Sequence, residues 1–288
     1  MEMKHVFEES HCSDESSPHT LSGSMSRRRF GEITLAAGAG LLLPRASFAF
    51  EQEVASVAAP NAVKNVVLVH GVFADGTSWS RVIPLLEAKG FNVMAVQIPL
   101  TSLADDVATT QRILAKQTGP TILVGHSYAG VVVTEAGTAP NVVGVVYISS
   151  YGPAAGESHD DLVKRYPPPS GAAALVLDGD GYLWIERDKF RETFCHDVDV
   201  PQALIMAAVQ QPVLKAPCWS VPVKAAAWTS KPSWFLVSTD DHLINPDLQR
   251  WMAARMKATT VSVPSSHASL VSHPVDVANL IEKATATA

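Results

Sequence analysis

"LVGHSYAG", residues 123–130, decides the fold. The apolar run "TILVG" (121–125) leads into it and "YAGVVVTEAG" (128–137) overlaps its end. The first has the composition of a buried strand and the second reads as a helix. Ser127 therefore sits at a sharp strand-to-helix turn. Gly125, Ala129 and Gly130 let the backbone bend tightly and let strand and helix approach. A turn of that kind holds the serine side chain up at the carboxyl edge of a sheet, where open α/β sheets bind ligands. The amides of Ser127 and Tyr128 lie near the N-terminus of the following helix, where negative charge is stabilised.

The same alternation runs outward in both directions. "NVVLVH" (65–70) is a continuous β-branched run, as expected of a strand buried on both faces. "SWSRVIPLLEAKG" (78–90) reads as a helix with Ser78 as N-cap and Gly90 just past its end. "FNVMAVQ" (91–97) is a second strand, and "SLADDVATTQRILAKQTG" (102–119) a helix capped by Ser102 and stopped by Gly119. "VVGVVYIS" (142–149) is the strand after the serine turn. The rhythm breaks over about 152–230, with Pro167, Pro168, Pro169, Gly179 and Gly181, and returns with "SWFLVSTDD" (233–241), a helix, "TTVSVP" (259–264) and a last helix. Strands alternating with helices predict an α/β fold, a mostly parallel central sheet flanked by helices. The interruption predicts a mainly helical inserted cap.

The domain itself spans 64–288, preceded by an Ala/Val/Pro linker over 50–63 and a leader over 1–49. Within the leader, "MSRRRFGEITLAAGAGLLLPRASFAF" (25–50) has a charged start, a short apolar stretch from Ile33 to Leu43, and small residues at its end. That is the grammar of an export signal, with cleavage expected after Ala49. Met25 directly precedes it and is an alternative start. Ser26-Arg27-Arg28-Arg29-Phe30 resembles the bacterial twin-arginine signal, which implies passage of the folded precursor through the twin-arginine export machinery to the periplasm or beyond.

Composition excludes several classes. The chain has 288 residues, 47% hydrophobic and 17% charged, with a formal net charge of −6, which is not the basic footprint of a nucleic-acid binder. No apolar run approaches the ~20 residues needed to span a bilayer. Once the leader and its Cys12 are gone, Cys195 and Cys218 remain, either bridged in an oxidising compartment or present as two buried thiols.

The strand, serine turn and helix of 121–137 resemble the nucleophile elbow of the α/β-hydrolase family. The pattern G-x-S-x-G is met except at its last position, where Ala129 stands with Gly130 behind it. The family order is nucleophile, acid, histidine. Ser127 comes first, the strand "WFLVST" ends at Asp240 and Asp241, and "SSHASL" after the next strand carries His267. The register of "STDDHLINPDLQRWMAARM" resembles a bacterial esterase subgroup and puts Asp241 in the acid's role, with Asp240 as the alternative. His126, inside the elbow, reads as satisfied and structural, His273 as a capping or packing residue, and His242 as exposed without an assigned partner. "HGVF" (70–73) follows the first strand, so the resemblance implies an oxyanion hole from the backbone amides of Val72 and Tyr128.

The match is closest to the branch holding plant methyl esterases, hydroxynitrile lyases and bacterial relatives. The lyases carry threonine where this chain has Gly71, and lysine after the histidine where this chain has Ala268. The resemblance thus implies a serine esterase acting on a small-molecule ester through an acyl-enzyme. Amidase, lactonase, lyase-like and cofactor-free haloperoxidase chemistry remain as alternatives. No metal or organic cofactor is required, and no His, Cys, Asp and Glu cluster has metal-ligand spacing. The cap and its flanks hold Leu175, Trp184, Phe190, Phe194, Leu204, Met206, Trp219 and Trp228, available to an apolar pocket or to packing of the cap on the sheet.

Overall fold

A computed structural model describes residues 62–288. The leader and nearly all of the linker, with the expected export signal and cleavage site, lie outside the described residues. Six parallel strands form the main sheet: β1 (Asn65–Val69), β2 (Asn92–Val96), β3 (Thr121–His126), β4 (Val142–Ile148), β8 (Ser233–Ser238) and β9 (Thr259–Val263). Their order is β2-β1-β3-β4-β8-β9. Every residue of β1, β3 and β8 is buried, because helices cover both faces there, whereas the edge strands β2 and β9 alternate towards solvent. The sheet is therefore parallel and helix-flanked, as expected.

Strand order reverses between β1 and β3, since the chain leaves β1 for β2 on one side and returns to β3 on the other. The β1 and β3 ends lie in register there, Val69 beside Gly125. A crevice opens outside the carboxyl ends of strands at such a switch point. The loop after β1 and the serine turn after β3 both reach it.

Helices α1 (Ile83–Glu87), α2 (Leu103–Leu114) and α3 (Ala129–Ala136) connect these strands. Ser102 caps α2 by accepting the Asp105 amide, and Gly90 and Gly119 take φ of +79° and +93° in the turns that follow α1 and α2. Ser78 does not cap a helix. Asp75 lies upstream with a better acceptor, takes the Thr77 amide, and starts a short 3₁₀ turn at Gly76–Trp79. The regular helix begins later, at Ile83, with Pro84 in its first turn.

Between β4 and β8 lie the short helices α4 (His159–Val163), α5 (Phe190–Phe194), α6 (Val200–Ala208) and α7 (Lys215–Trp219). Helix outweighs strand in this segment, but it also holds an antiparallel sheet of β5 (Leu175–Leu177), β6 (Tyr182–Ile185) and β7 (Val213–Leu214). The chain closes with α8 (Pro246–Arg255), α9 (Ser269–Ser272) and α10 (Pro274–Thr287) around β9. Cys195 and Cys218 are both buried free thiols, and burial pushes each up to about 12.

Candidate active site

Ser127 occupies the first residue after β3 with φ +57°. A side chain in this left-handed region costs roughly 1–2 kcal/mol, so the surroundings must hold it there. They do so from three sides. The Ser127 amide donates to Ile148 O, while its carbonyl accepts from the amides of Gly130 and Tyr151 and from Ser150 Oγ at 2.7 Å. Small residues allow the approach. A Cβ on Gly130 would stand 1.9 Å from Tyr151 O, and one on Gly125 would stand 2.7 Å from Val133 Cγ2 and 2.9 Å from Ala129 O. Ala129 itself is fully buried within this turn.

Asp241 follows β8 and is buried. Its Oδ1 accepts the amides of Leu243 and Ile244, at 2.8 and 2.9 Å. Its Oδ2 accepts Gln249 Nε2 at 2.8 Å and pairs with His267 Nδ1 at 2.8 Å. Neighbouring Asp240 is exposed and makes no hydrogen bond to His267; its backbone carbonyl meets His196 Nε2 at 2.9 Å. The structure thus brings Asp241, not Asp240, to His267. A carboxylate is an acceptor, so Nδ1 of His267 carries the proton and Nε2 keeps its lone pair.

The elbow itself carries His267. His126 Nε2 meets His267 O at 2.9 Å, and the two rings are 4.7 Å apart. Phe194 closes the other side, edge-on to His267 at 5.1 Å. Since a carbonyl accepts, His126 must donate from Nε2. Its Nδ1 is then a buried acceptor with no partner among the described residues, so His126 is structural but satisfied at one nitrogen alone. Burial, reinforced by the neighbouring His267, holds His126 well below the usual imidazole range.

The loop after β1 is fixed by His70, whose Nδ1 donates to Gly71 O at 2.9 Å while Nε2 accepts the Ile98 amide at 3.1 Å. Burial lowers its pKa, which suits this neutral tautomer. Phe73 has φ 60° and gives its amide to Gln211 O. Among the described residues, the amides of Val72 and Tyr128 have no hydrogen-bond partner. Both residues line the cavity that Ser127 lines.

That cavity has a volume of about 240 Å³. Trp219 and Leu175 line it, as two of the expected pocket residues. Phe190 and Met206 are core, Leu204 and Trp184 face solvent, and Trp228 donates to Pro153 O. Sequence reasoning missed Tyr151, His159 and Ile244, which also face the cavity. Among them Ser158-His159-Asp160-Asp161 carried a signal, because Ser158 and Asp161 form a capping box that starts α4. His242 is half-buried rather than exposed, because it stacks on His196 at 4.5 Å and its Nδ1 meets Glu192 O. His273 stands at the N-cap of α10 without a side-chain cap, its Nδ1 3.0 Å from Ser272 Oγ.

Comparison with known proteins agrees with this architecture. The pattern described as the alpha/beta hydrolase family matches residues 66–280. A pyrethroid hydrolase of Sphingobium wenxiniae is 26% identical over 245 residues, covering 76% of this chain and 86% of its own. Methylesterase 8 of Arabidopsis thaliana is 26% identical over 208 residues, covering 66% of this chain and 76% of its own. The crystal structure of a pyrethroid hydrolase from Sphingobium faniae superposes with TM-score 0.67 at 23% identity, over 78% of this chain and 98% of that one. Polyneuridine aldehyde esterase superposes with TM-score 0.67 at 16% identity, over 77% and 99%. The chain belongs to the alpha/beta hydrolase family.

Proposed function

We propose that this alpha/beta hydrolase cleaves carboxylic esters through an acyl-enzyme, with Ser127 as nucleophile, His267 as general base and Asp241 as orienting acid. The observation that carries the proposal is the buried Asp241–His267 hydrogen bond, 2.8 Å long, packed against the strained turn that presents Ser127. A serine hydroxyl is a weak nucleophile at neutral pH and needs such a base. His267 Nε2 takes the proton as Ser127 Oγ attacks the carbonyl. The free amides of Val72 and Tyr128 receive the oxyanion, each worth about 3 kcal/mol in the transition state. His267 then returns the proton to the leaving alcohol, and Asp241 stabilises the imidazolium in between. Water repeats the cycle and releases the acid.

Relatives named as a pyrethroid hydrolase and a methylesterase support ester hydrolysis. Gly71 and Ala268 favour it over lyase chemistry: a Cβ at 71 would stand 2.6 Å from Ser127 Cβ, and Ala268 offers no cation beside His267. The apolar cavity suits an ester with a medium-sized apolar body. The twin-arginine pattern supports export, with the mature chain starting after Ala49, and N-terminal sequencing of exported protein tests this. The catalytic assignment is tested with a short-chain 4-nitrophenyl ester and a fluorophosphonate probe. Ser127→Ala is expected to lose ~10³-fold or more in turnover and all labelling. Equal activity of parent and variant would remove Ser127 from the role of nucleophile.

A further inference from the structure

The cavity wall has one imidazole outside the Ser127–His267–Asp241 set. His159 opens α4, is 3% exposed, and lines the same cavity as Ser127. Its position is over-determined. The Ser158–Asp161 capping box fixes the helix start, with Ser158 Oγ accepting the Asp161 amide and Asp161 Oδ2 accepting the Ser158 amide. Trp219 stacks on the ring at 4.2 Å, and Tyr151 meets it edge-on at 4.3 Å. Asp160 Oδ1 lies 3.6 Å from His159 Nδ1, and Ser220 Oγ anchors the other oxygen of that carboxylate at 2.7 Å. Cap helix α7 therefore holds both the ring and the acid beside it.

The two ring nitrogens have different surroundings. Nδ1 is sealed from solvent, without a hydrogen bond among the described residues, and the Asp160 carboxylate lies 3.6 Å from it. The carboxylate favours the proton on Nδ1. Burial lowers the imidazole below its ordinary value, so the ring is neutral near pH 7 although Asp160 opposes the shift. A neutral imidazole protonated at Nδ1 has an acceptor lone pair at Nε2. No described residue donates to Nε2, which unlike Nδ1 is not sealed from solvent, and His159 lines the cavity.

We infer that His159 is a specificity residue, accepting at Nε2 a hydrogen bond from a hydroxyl or N–H group carried on the apolar body of the ester. This rests on the esterase assignment for the choice of assay. The preferred substrates are esters with a donor group away from the scissile bond, flat enough to lie along Trp219. The surrounding walls, such as Val163, Leu175 and Ile244, are apolar; apart from Ser127, the Tyr151 hydroxyl is another side-chain acceptor on this lining, and a preference owed to it would survive in both His159 variants. A site built to pair with a substrate hydroxyl discriminates strongly against the analogue that lacks it.

The test compares methyl phenylacetate with its three ring-hydroxylated isomers, on the parent, His159→Phe and His159→Gln. Phenylalanine keeps a flat ring for Trp219 and Tyr151 but has no acceptor; glutamine restores a carbonyl oxygen. The parent is expected to prefer at least one hydroxylated isomer tenfold or more in kcat/KM. That ratio falls to within twofold of unity in His159→Phe and recovers in part in His159→Gln. A parent that prefers no isomer, or a preference that survives in both variants, overturns the inference. Tryptophan fluorescence, with Trp219 stacked on the ring, reads binding of the corresponding free acids without turnover. If no ester is cleaved but the hydroxylated acid still binds tenfold tighter and loses that advantage in His159→Phe, the esterase assignment fails and His159 keeps its role. If the binding ratio is also flat, the inference about His159 fails by itself.

Discussion

Asp106→Asn should make the protein more stable at alkaline pH, and the effect should vanish in acid. Asp106 lies in the first turn of α2, fully buried. Its Oδ1 accepts the Leu100 amide at 2.8 Å, its Oδ2 accepts Tyr128 Oη at 3.0 Å, and Cys218 Sγ stands 3.9 Å from Oδ2. Burial pushes the carboxyl up to about 7, against the Leu100 and Tyr128 hydrogen bonds that pull it down. Below about pH 3.8 the group is neutral in both folded and unfolded chains and costs the fold nothing. Between there and pH 7 the unfolded chain ionises while the folded one keeps its proton. The folded state then binds more protons, so stability falls as pH rises, by about 1.4 kcal/mol per unit. The full shift sets a ceiling of about 4 kcal/mol lost by pH 8. Asparagine keeps an acceptor for Leu100 and can donate to Tyr128 Oη, and it does not ionise. Urea titrations of parent and variant at half-unit steps from pH 5 to 8 should show the variant gaining steadily up to about pH 7. A difference constant to within about 0.5 kcal/mol over that range would mean that the two donors outweigh burial and the carboxylate is already ionised in the fold.

Two further changes separate stability from chemistry. Ser127→Gly removes the strain of a side chain at φ +57° and should raise stability by about 1 kcal/mol while abolishing ester turnover, read from melting curves and the 4-nitrophenyl assay on one preparation. Asp241→Asn keeps two acceptor bonds from Leu243 and Ile244 but offers an amide to His267, favouring the wrong tautomer; kcat should fall about 10³–10⁴-fold with KM little changed. A loss of tenfold or less would show that Asp241 is not what orients His267.

The features legible in the sequence are those whose causes are local. Continuous β-branched runs mark β1 and β3 because both faces of these strands are covered, and the small residues around Ser127 mark the turn because a Cβ at 125 or 130 would collide with backbone. Asp241 follows from chain order and a local register. The short strands between β4 and β8 are illegible for the opposite reason. Tyr182–Ile185 pairs with Leu175–Leu177 on one side and with Val213–Leu214 on the other, so the last pairing joins residues about thirty positions apart through a strand of two residues. Too short for alternation to register, such strands exist through tertiary contact alone. His159 was missed likewise. The capping box places it at a helix start, but Trp219, which turns that position into a cavity wall, comes sixty residues later. His242 looked exposed because Glu192 and His196, which cover it, are equally remote in the chain.

Gly71 packs the loop after β1 directly against Ser127. An added Cβ would stand 2.6 Å from Ser127 Cβ, 3.0 Å from His126 O and 3.2 Å from His126 Nδ1. Two of these neighbours are close to the backbone of the elbow, and Ser127 is held there by the hydrogen bonds to Ile148, Ser150 and Tyr151, so neither can step aside cheaply. His70, bonded to both Gly71 O and Ile98 N, keeps the loop from retreating. Gly71→Ala should therefore cost about 1–3 kcal/mol of stability by overpacking. It should also displace Ser127 Oγ relative to the Val72 and Tyr128 amides, and misplacement of about 1 Å can cost about 10²-fold in rate. The expected pattern is a drop in kcat larger than any rise in KM, with fluorophosphonate labelling slowed in proportion. Full activity with a lowered melting temperature would mean that the loop yields and the elbow does not, and that position 71 does not control the placement of Ser127. A threonine at this position would then have to act through its hydroxyl rather than by moving Ser127.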